Sequence, residues 1–186
     1  MRLTSNAWTF EGALSAEMCD QIIKYGKQQV SEQATVAGGA VIKIRSSEVA
    51  WLYDPWILDM LYPYVTRANK KAGWNFQWEP VQQIQFTIYK KGQYYDWHRD
   101  TKIAHFKSGK IRKLSVTVNL NDDYEGGEMY VDSEENYMKP APQKLEMLQK
   151  AGSITVFPSD IWHKVDPVTK GVRHSLVVWL LGDPWK

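Results

Sequence analysis

The sequence predicts a mainly β fold with helices on one flank. From Trp74 onward, turn-forming residues separate at least six short segments in which apolar and polar positions alternate. The preceding part instead contains two segments with helical periodicity. Many short strands joined by turns favour a β-sandwich or barrel, and with the helices packed on one outer sheet the architecture is a double-stranded β-helix, the cupin-like jelly roll.

The length suits a single domain over residues 1–186, because a chain of this size buries well over half of its unfolded surface. We divide it into a helical flank with edge strands, residues 1–80, and a double-stranded β-helix core, residues 81–186, that carries the site. Nine Trp, ten Tyr and five Phe exceed what packing alone requires and suit a walled cavity.

The charge pattern limits the classes of partner. A formal charge of +2 argues against a nucleic-acid binder, whose affinity depends on many phosphate contacts from a basic face. The single cysteine, Cys19, cannot form an internal disulfide, and we interpret it as a small core residue. The sequence begins with neither a signal-like segment nor an apolar run long enough to span a bilayer. We therefore expect a cytoplasmic protein with no membrane partner.

The first segments are read as a strand and a helix. Residues 8–13 predict a short strand, and residues 14–27 predict a helix with Ser15 as its N-cap. Four apolar residues fall on one face of this helix and indicate packing rather than chemistry: Met18, Cys19, Ile22 and Ile23.

A loop and a second helix follow. Residues 34–48 are expected to form a loop and an edge strand. Residues 54–69 predict a helix with a cap and a proline, Pro55, in its first turn. Pro63 should kink or break that helix, because proline lacks the backbone N–H and clashes with the preceding turn.

Three later segments have a period of two: residues 83–89, 114–120 and 172–181. In each, one face is apolar, except for His174 in the last segment, and the other carries polar side chains such as Gln85, Ser115 and Arg173. Such strands are compatible with a solvent-exposed outer face. Several strands whose polar faces agree could equally surround a small charged ligand.

The stretch from Tyr89 to Asp100 contains a candidate metal site. His98 and Asp100 lie two apart on an extended segment, so both point to one face about 7 Å apart along the backbone. A third ligand must come from another histidine, of which His163, at the start of a short strand after a turn, is the best candidate; His105 and His174 remain. Two imidazoles and one carboxylate form the facial set that holds ferrous iron, although zinc accepts the same ligands.

The joint pattern identifies a family resemblance. It consists of Tyr-x-x-Gly-x-x-Tyr-x-x-His-x-Asp over 89–100, Gly-Gly-Glu at 126–128, and His163 followed by Arg173. This resembles the prolyl 4-hydroxylase-like branch of the 2-oxoglutarate- and iron-dependent dioxygenases, from about residue 80 to the end. The resemblance implies an enzyme that oxidatively decarboxylates 2-oxoglutarate to succinate and CO2 while it hydroxylates a substrate. It implies ferrous iron bound by His98, Asp100 and His163, and ascorbate is a candidate reductant.

Arg173 is the candidate anion-binding residue. It follows a tight turn at residues 166–171 and shares its strand face with Ser175. A guanidinium can pair both oxygens of a carboxylate. By resemblance, Arg173 binds the distal carboxylate of 2-oxoglutarate, Ser175 or Tyr89 assists, and Trp179 forms a wall. The alternatives are that Arg173 reaches solvent and that Trp179 is a core aromatic.

Fewer residues of the sequence point to the substrate than to the metal and the co-substrate. Tyr95 and Arg112 match positions that line the substrate groove in peptidyl-proline hydroxylases. The basic segment 101–113 is either a lid or a solvated loop. Related nucleic-acid demethylases carry a second arginine on the final strand, where this chain has Trp179, which argues against a nucleic-acid substrate.

Three functions remain open. The first is hydroxylation of a prolyl residue in a peptide or protein. The second is hydroxylation of a free amino acid or another small metabolite, which requires a closed pocket. The third is a non-enzymatic, cupin-like module that binds a metal or a carboxylate without turnover.

Overall fold

The strands of the protein begin near residue 8 and dominate its second half. The computed structural model describes residues 5–29, 32–33, 44–81, 83–101, 108–133 and 141–185. Within these ranges the helices are α1 (Ala16–Gln28), α2 (Pro55–Lys71) and a 3-10 turn at Glu146–Leu148. The strands are β1 (Trp8–Phe10), β2 (Glu32–Gln33), β3 (Arg45–Ser46), β4 (Glu48–Leu52), β5 (Ile84–Tyr89), β6 (Tyr94–His98), β7 (Ile111–Asn119), β8 (Glu125–Gly126), β9 (Met129–Asp132), β10 (Pro142–Lys144), β11 (Ile154–Pro158), β12 (His163–Val165), β13 (Val168–Lys170) and β14 (Arg173–Gly182).

The two helices begin where the sequence predicts. Ser15 caps α1 by accepting a hydrogen bond from the Met18 N–H, and Pro55 occupies the first turn of α2. The predicted break at Pro63 is wrong, because α2 continues through it to Lys71. Pro63 is exposed, and its neighbours Leu61 and Val65 are buried. Packing of the buried face therefore outweighs the one backbone hydrogen bond that proline removes.

Two sheets, built from antiparallel pairs, make up the body. The larger has the order β1-β11-β7-β14-β5-β4-β2, and the smaller has the order β10-β9-β12-β6-β3. Helices α1 and α2 cover the outer face of the larger sheet, where the main apolar core includes Ile22, Ile57, Phe86, Leu114 and Leu176. The predicted mainly β architecture, a double-stranded β-helix with helices on one sheet, is confirmed. The division into residues 1–80 and 81–186 stays a prediction.

The polar faces of the central strands are buried rather than wet. Gln85, Ser115, Thr117 and Ser175 are at most 5% exposed. These side chains belong to β5, β7 and β14, which are neighbours in the larger sheet. The solvent-exposed interpretation of these strands is therefore wrong, and the polar faces instead point into the space between the sheets.

Two loop predictions need correction, and one is confirmed in part. The segment 166–171 contains β13, which pairs with β8 in a separate two-stranded sheet. Strand β7 begins at Ile111, so Arg112 and Lys113 are strand residues and not part of a loop. The edge strand expected within 34–48 is present as β3, while residues 34–43 lie outside the described ranges. Short strands of two or three residues carry too little periodicity to be seen in sequence.

Among the helices in the described part of the chain, none has both the length and the apolar character needed to cross a membrane.

His174 is a buried titratable group on the helix side of β14. Its ring stacks on Phe86 with centroids 5.8 Å apart, and the residue is 7% exposed. Neither ring nitrogen has a hydrogen-bond partner among the residues described. Burial, followed by the charge of Lys27, lowers the pKa of His174 to about 4, against a smaller opposing effect of Asp123.

We expect His174 to make folding sensitive to acid. Its pKa falls from an ordinary 6.5 to about 4 on folding. Between these values the unfolded chain binds a proton that the folded chain does not, so stability decreases as the pH falls through this window. Replacing His174 with Phe should remove about 1–3 kcal/mol of the stability lost between pH 7 and pH 4. Urea unfolding at a series of pH values checks this; identical pH slopes in the two proteins would contradict it.

Candidate active site

Strands β6 and β12 bring two predicted ligands together. His98, the last residue of β6, is paired across the antiparallel ladder with His163, the first residue of β12. Their ring centroids are 4.0 Å apart, and both side chains are buried. Directly opposed residues of an antiparallel pair point to the same face of the sheet, so both imidazoles enter the space between the two sheets.

Backbone carbonyls fix the tautomer of each ring. His98 Nδ1 lies 2.8 Å from the Asp96 carbonyl oxygen, and His163 Nδ1 lies 3.0 Å from that of Ile161. Because a carbonyl oxygen only accepts a hydrogen bond, each Nδ1 carries the proton and donates it. Each Nε2 is left with its lone pair, the state in which imidazole binds a metal ion.

The Asp100 carboxylate completes the cluster. Its Oδ1 is 3.8 Å from His98 Nε2, and its Oδ2 is 3.5 Å from His163 Nε2. Within the part of the chain that the structure describes, these three residues form the one group able to hold a metal ion, with all ligand atoms within 4.8 Å of one another. Neighbouring ligands each about 2.1 Å from one ion are about 3 Å apart, so the donor set needs little movement to bind.

The ionisation states suit a divalent ion. Burial, followed by repulsion from the His163 ring when that ring is protonated, lowers the pKa of His98 to about 3, so the His98 ring is neutral near pH 7. Burial alone would raise the pKa of Asp100, but His163, His98 and a hydrogen bond from Ser115 outweigh it, and the pKa is lowered. Neutral imidazoles and an ionised carboxylate are the forms that ligate metals.

Two serines support the carboxylate. Ser115 Oγ donates to Asp100 Oδ2 at 2.6 Å and lies 2.9 Å from Ser159 Oγ. The Asp100 N–H donates to the Ser159 carbonyl oxygen at 2.9 Å. The sequence placed Ser115 on a polar face without a role, and nothing in the pattern singled out Ser159.

Arg173 lies in the same cavity as the three candidate ligands. It is 2% exposed, donates from Nη1 to Ser175 Oγ at 3.2 Å, and has its guanidinium 5.5 Å from the centre of the Tyr89 ring. Its buried Nε has no hydrogen-bond partner among the residues described. An unsatisfied, charged donor facing a cavity fits an anionic ligand. The alternative that Arg173 reaches solvent is wrong.

The absence of a side chain at Gly127 leaves space for the side chain of Arg173. A Cβ at position 127 would lie 3.1 Å from Arg173 Cδ, and the backbone φ of 67° is one that glycine adopts without strain. The Gly-Gly-Glu element of the sequence pattern thus has a steric role beside the cavity.

Aromatic and basic side chains lie beside the candidate ligands and along β14. Tyr95 stacks on the His98 ring with centroids 3.4 Å apart. Trp179 stands six residues beyond Arg173 on β14, about 20 Å along the strand. The Arg112 guanidinium lies 3.8 Å from the centre of the Trp179 ring, and Arg112 Nη1 donates to the Asp100 carbonyl oxygen at 3.3 Å.

An open groove adjoins the cavity. Trp179 lines both the cavity and the groove, and the other groove residues are Trp51, Tyr53, Pro80, Val81, Gln83, Arg112 and Leu181. Its walls are mainly aromatic and apolar. Arg45 also lines the inner cavity, although no sequence pattern singled it out.

Two histidines and one loop remain from the sequence analysis. His174 points to the helix side of the larger sheet, and His105 is outside the described residues, as are residues 102–107 of the suggested lid. The described basic residues of that region make specific contacts: Lys110 pairs with Glu79 and Asp183, and Lys113 Nζ lies 3.1 Å from the centre of the Trp185 ring.

Comparison with known proteins gives a family and relatives. The model of the 2OG-Fe(II) oxygenase superfamily matches residues 84–181. A PKHD-type hydroxylase of Synechococcus sp. (strain JA-3-3Ab) is 30% identical over 113 residues, which is 56% of this chain and 46% of that protein. One of Shewanella oneidensis is 35% identical over 98 residues, 51% of this chain and 41% of that protein. This chain thus spans less than half the length of these relatives.

Solved structures share the fold. A Pseudomonas putida prolyl-4-hydroxylase superposes with a TM-score of 0.70 at 20% identity, covering 94% of this chain and 91% of that one. A prolyl hydroxylase from Trichoplax adhaerens, in complex with a hypoxia inducible factor oxygen degradation domain peptide fragment, superposes with a TM-score of 0.73 at 18% identity, covering 94% and 83%.

We expect His98→Ala and Asp100→Ala each to weaken ferrous iron binding by more than about 100-fold, because each removes one of three ligands. Neither side chain belongs to the apolar core, so the melting temperature of the metal-free protein should change little. Calorimetric titration with ferrous iron under argon checks the affinity. His174→Phe, a histidine substitution on the other side of the sheet, is the control; unchanged affinity in either ligand variant would contradict the expectation.

Proposed function

The chain belongs to the 2OG-Fe(II) oxygenase superfamily, and from this premise we propose that it hydroxylates a prolyl residue in a peptide or protein. It is an enzyme of the class that uses ferrous iron and 2-oxoglutarate. The observation that carries the proposal is the meeting of His98, Asp100 and His163 in one cavity with Arg173. The family resemblance of residues 89–100 to prolyl 4-hydroxylases supports the choice of substrate.

We assign the iron to His98 Nε2, His163 Nε2 and the Asp100 carboxylate. The Nδ1–carbonyl hydrogen bonds hold both rings in the ligating tautomer. Ser115 holds the carboxylate, which limits its rotation. Three protein ligands on one side of an ion leave its other positions open for other ligands. When bound, iron and 2-oxoglutarate supply dioxygen activation, with succinate and CO2 as products of the co-substrate.

We assign the distal carboxylate of 2-oxoglutarate to Arg173, with Ser175 and Tyr89 assisting. The Nε of Arg173 has no hydrogen-bond partner among the described residues, so it can donate to a ligand. The neighbouring Nη1 already donates to Ser175 Oγ. Burial of this end excludes water and strengthens a charge-assisted hydrogen bond. Trp179 forms a wall of the cavity at the other end, where Tyr95 and Arg112 are the proposed substrate contacts.

The open groove favours a polypeptide over a small metabolite. It leads away from Trp179 across Trp51, Tyr53 and Pro80, and Tyr53 is 59% exposed. Aromatic-lined grooves bind extended, proline-containing segments. One observation on another protein agrees with this: the prolyl hydroxylase structure from Trichoplax adhaerens is a complex with a peptide fragment.

We expect proline-containing peptides to stimulate succinate release from 2-oxoglutarate under air with ferrous iron and ascorbate. Free amino acids should stimulate it less, because they do not occupy the groove. Mass spectrometry of the peptide should then show addition of one oxygen to a prolyl residue. Stimulation by free amino acids alone would indicate the small-metabolite function, and no consumption of 2-oxoglutarate at all would indicate a binding module.

We expect Arg173→Leu to raise the KM for 2-oxoglutarate by about 100-fold or more, since the variant leaves the distal carboxylate buried without a charged partner. Arg173→Lys should recover part of the loss, because it keeps a positive charge without the planar fork. Steady-state kinetics with varied 2-oxoglutarate checks both. A KM unchanged in Arg173→Leu would mean that the co-substrate binds elsewhere.

A further inference from the structure

The cavity and its groove have an excess of positive charge. Three arginines line them, Arg45, Arg112 and Arg173, and the carboxylate that lines them is that of Asp100. Under the proposed function, the positive charges of ferrous iron and Arg173 cancel the negative charges of Asp100 and the 2-oxoglutarate dianion. Arg45 then remains as a cation next to the substrate.

Arg45 is held in place by neutral partners. Its Nε donates to Ser47 Oγ at 2.8 Å, and its Nη2 donates to Gln85 Oε1 at 2.8 Å. Gln85 Oε1 also accepts from Thr87 Oγ1 at 3.3 Å. No ion pair of Arg45 occurs within the described part of the chain. These contacts orient the guanidinium without neutralising its charge.

Arg45 also has a defined place relative to the iron ligands. Its guanidinium lies 4.6 Å from the centre of the Tyr95 ring, which in turn stacks on the His98 ring. One aromatic ring therefore separates Arg45 from the iron site. Arg112 flanks the same region from Trp179, and its backbone carbonyl accepts from Thr101 Oγ1, which fixes its strand next to the Asp100 segment.

A fixed guanidinium in a partly dehydrated wall binds a carboxylate with two parallel hydrogen bonds more strongly than it binds a neutral amide. Preorganisation lowers the entropy lost on binding. Position and charge thus both favour a negatively charged group on the substrate, close to the carbon that meets the iron.

We propose that Arg45, with Arg112 adding to the positive field, binds a carboxylate of the substrate beside the hydroxylated residue. The proposal rests on the part of the proposed function that names proline as the hydroxylated group, and it narrows the substrates to those that carry a carboxylate. The carboxylate has two sources that share this chemistry: an acidic side chain next to the target proline in a polypeptide, or the α-carboxylate of a small proline derivative.

The test measures binding without turnover. Dissociation constants are determined under argon, on the protein loaded with ferrous iron and 2-oxoglutarate, for two matched pairs of ligands. One pair is an end-blocked peptide with Asp next to proline and the same peptide with Asn. The other is N-acetylproline and its amide. At least one acid should bind about 10- to 100-fold more tightly than its amide. The pair that shows the preference identifies the source.

Variants assign the preference to Arg45. In Arg45→Gln the ratio between acid and amide should fall toward one; Arg45→Lys should keep part of the ratio. Arg67→Gln, on the outer face of α2, is the matched control and should keep all of it. Thermal melting of each variant separates loss of binding from loss of fold.

Two outcomes would overturn the inference: equal binding of acid and amide in both pairs by the unmodified protein, or a ratio retained in a folded Arg45→Gln. Succinate release keeps this failure distinct from failure of the proposed function. Equal stimulation of succinate release by the Asp and Asn peptides would contradict the charge preference but not the prolyl hydroxylase function. Absence of stimulation by any peptide removes the peptidyl substrate, while the binding ratios still decide the role of Arg45.

Discussion

The antiparallel pairing of β6 with β12 is the constraint on which the site depends. It sets His98 opposite His163 and points both rings into the space between the sheets. A slip of one residue would turn one imidazole to the other face of the sheet, because side chains alternate along a strand. The carbonyl partners of each Nδ1 come from the residues two before each histidine, so the same local backbone that places the rings also fixes their protonation.

Much of the fold follows from sequence periodicity. The period of two in β5, β7 and β14 and the cap at Ser15 predict the strands and the first helix correctly. Periodicity shows that a strand has two unlike faces, but it does not show which face meets water. Gln85 and Ser115 have the polarity of surface residues, yet they are buried, because they line a cavity and bond to other polar side chains. Only the position of the second sheet distinguishes these cases.

The unpredicted parts depend on contacts between distant segments. Arg45 comes from a two-residue edge strand, and it reaches the cavity because β3 pairs with β6 and the guanidinium covers Tyr95. Ser159 matters through its backbone and hydroxyl near Asp100, 59 residues away in sequence order, where no local pattern exists. The cavity residues His98, Asp100, His163 and Arg173 were predicted from the sequence. The prediction succeeded because the motif over residues 89–100 combines short-range spacing with a resemblance to a known family.

The two faces of the larger sheet divide stability from binding. The face toward α1 and α2 carries the main apolar core, including Phe86, Leu114 and Leu176, and burial of these side chains supplies most of the driving force for folding. The other face buries Arg173 Nε and Trp179 Nε1 without partners among the described residues, an arrangement that costs stability. A ligand that forms hydrogen bonds with such groups removes this cost. Binding of the ligand therefore raises the free energy of unfolding. The helix-covered core is therefore what permits an interior that is polar, positively charged and open to a carboxylate.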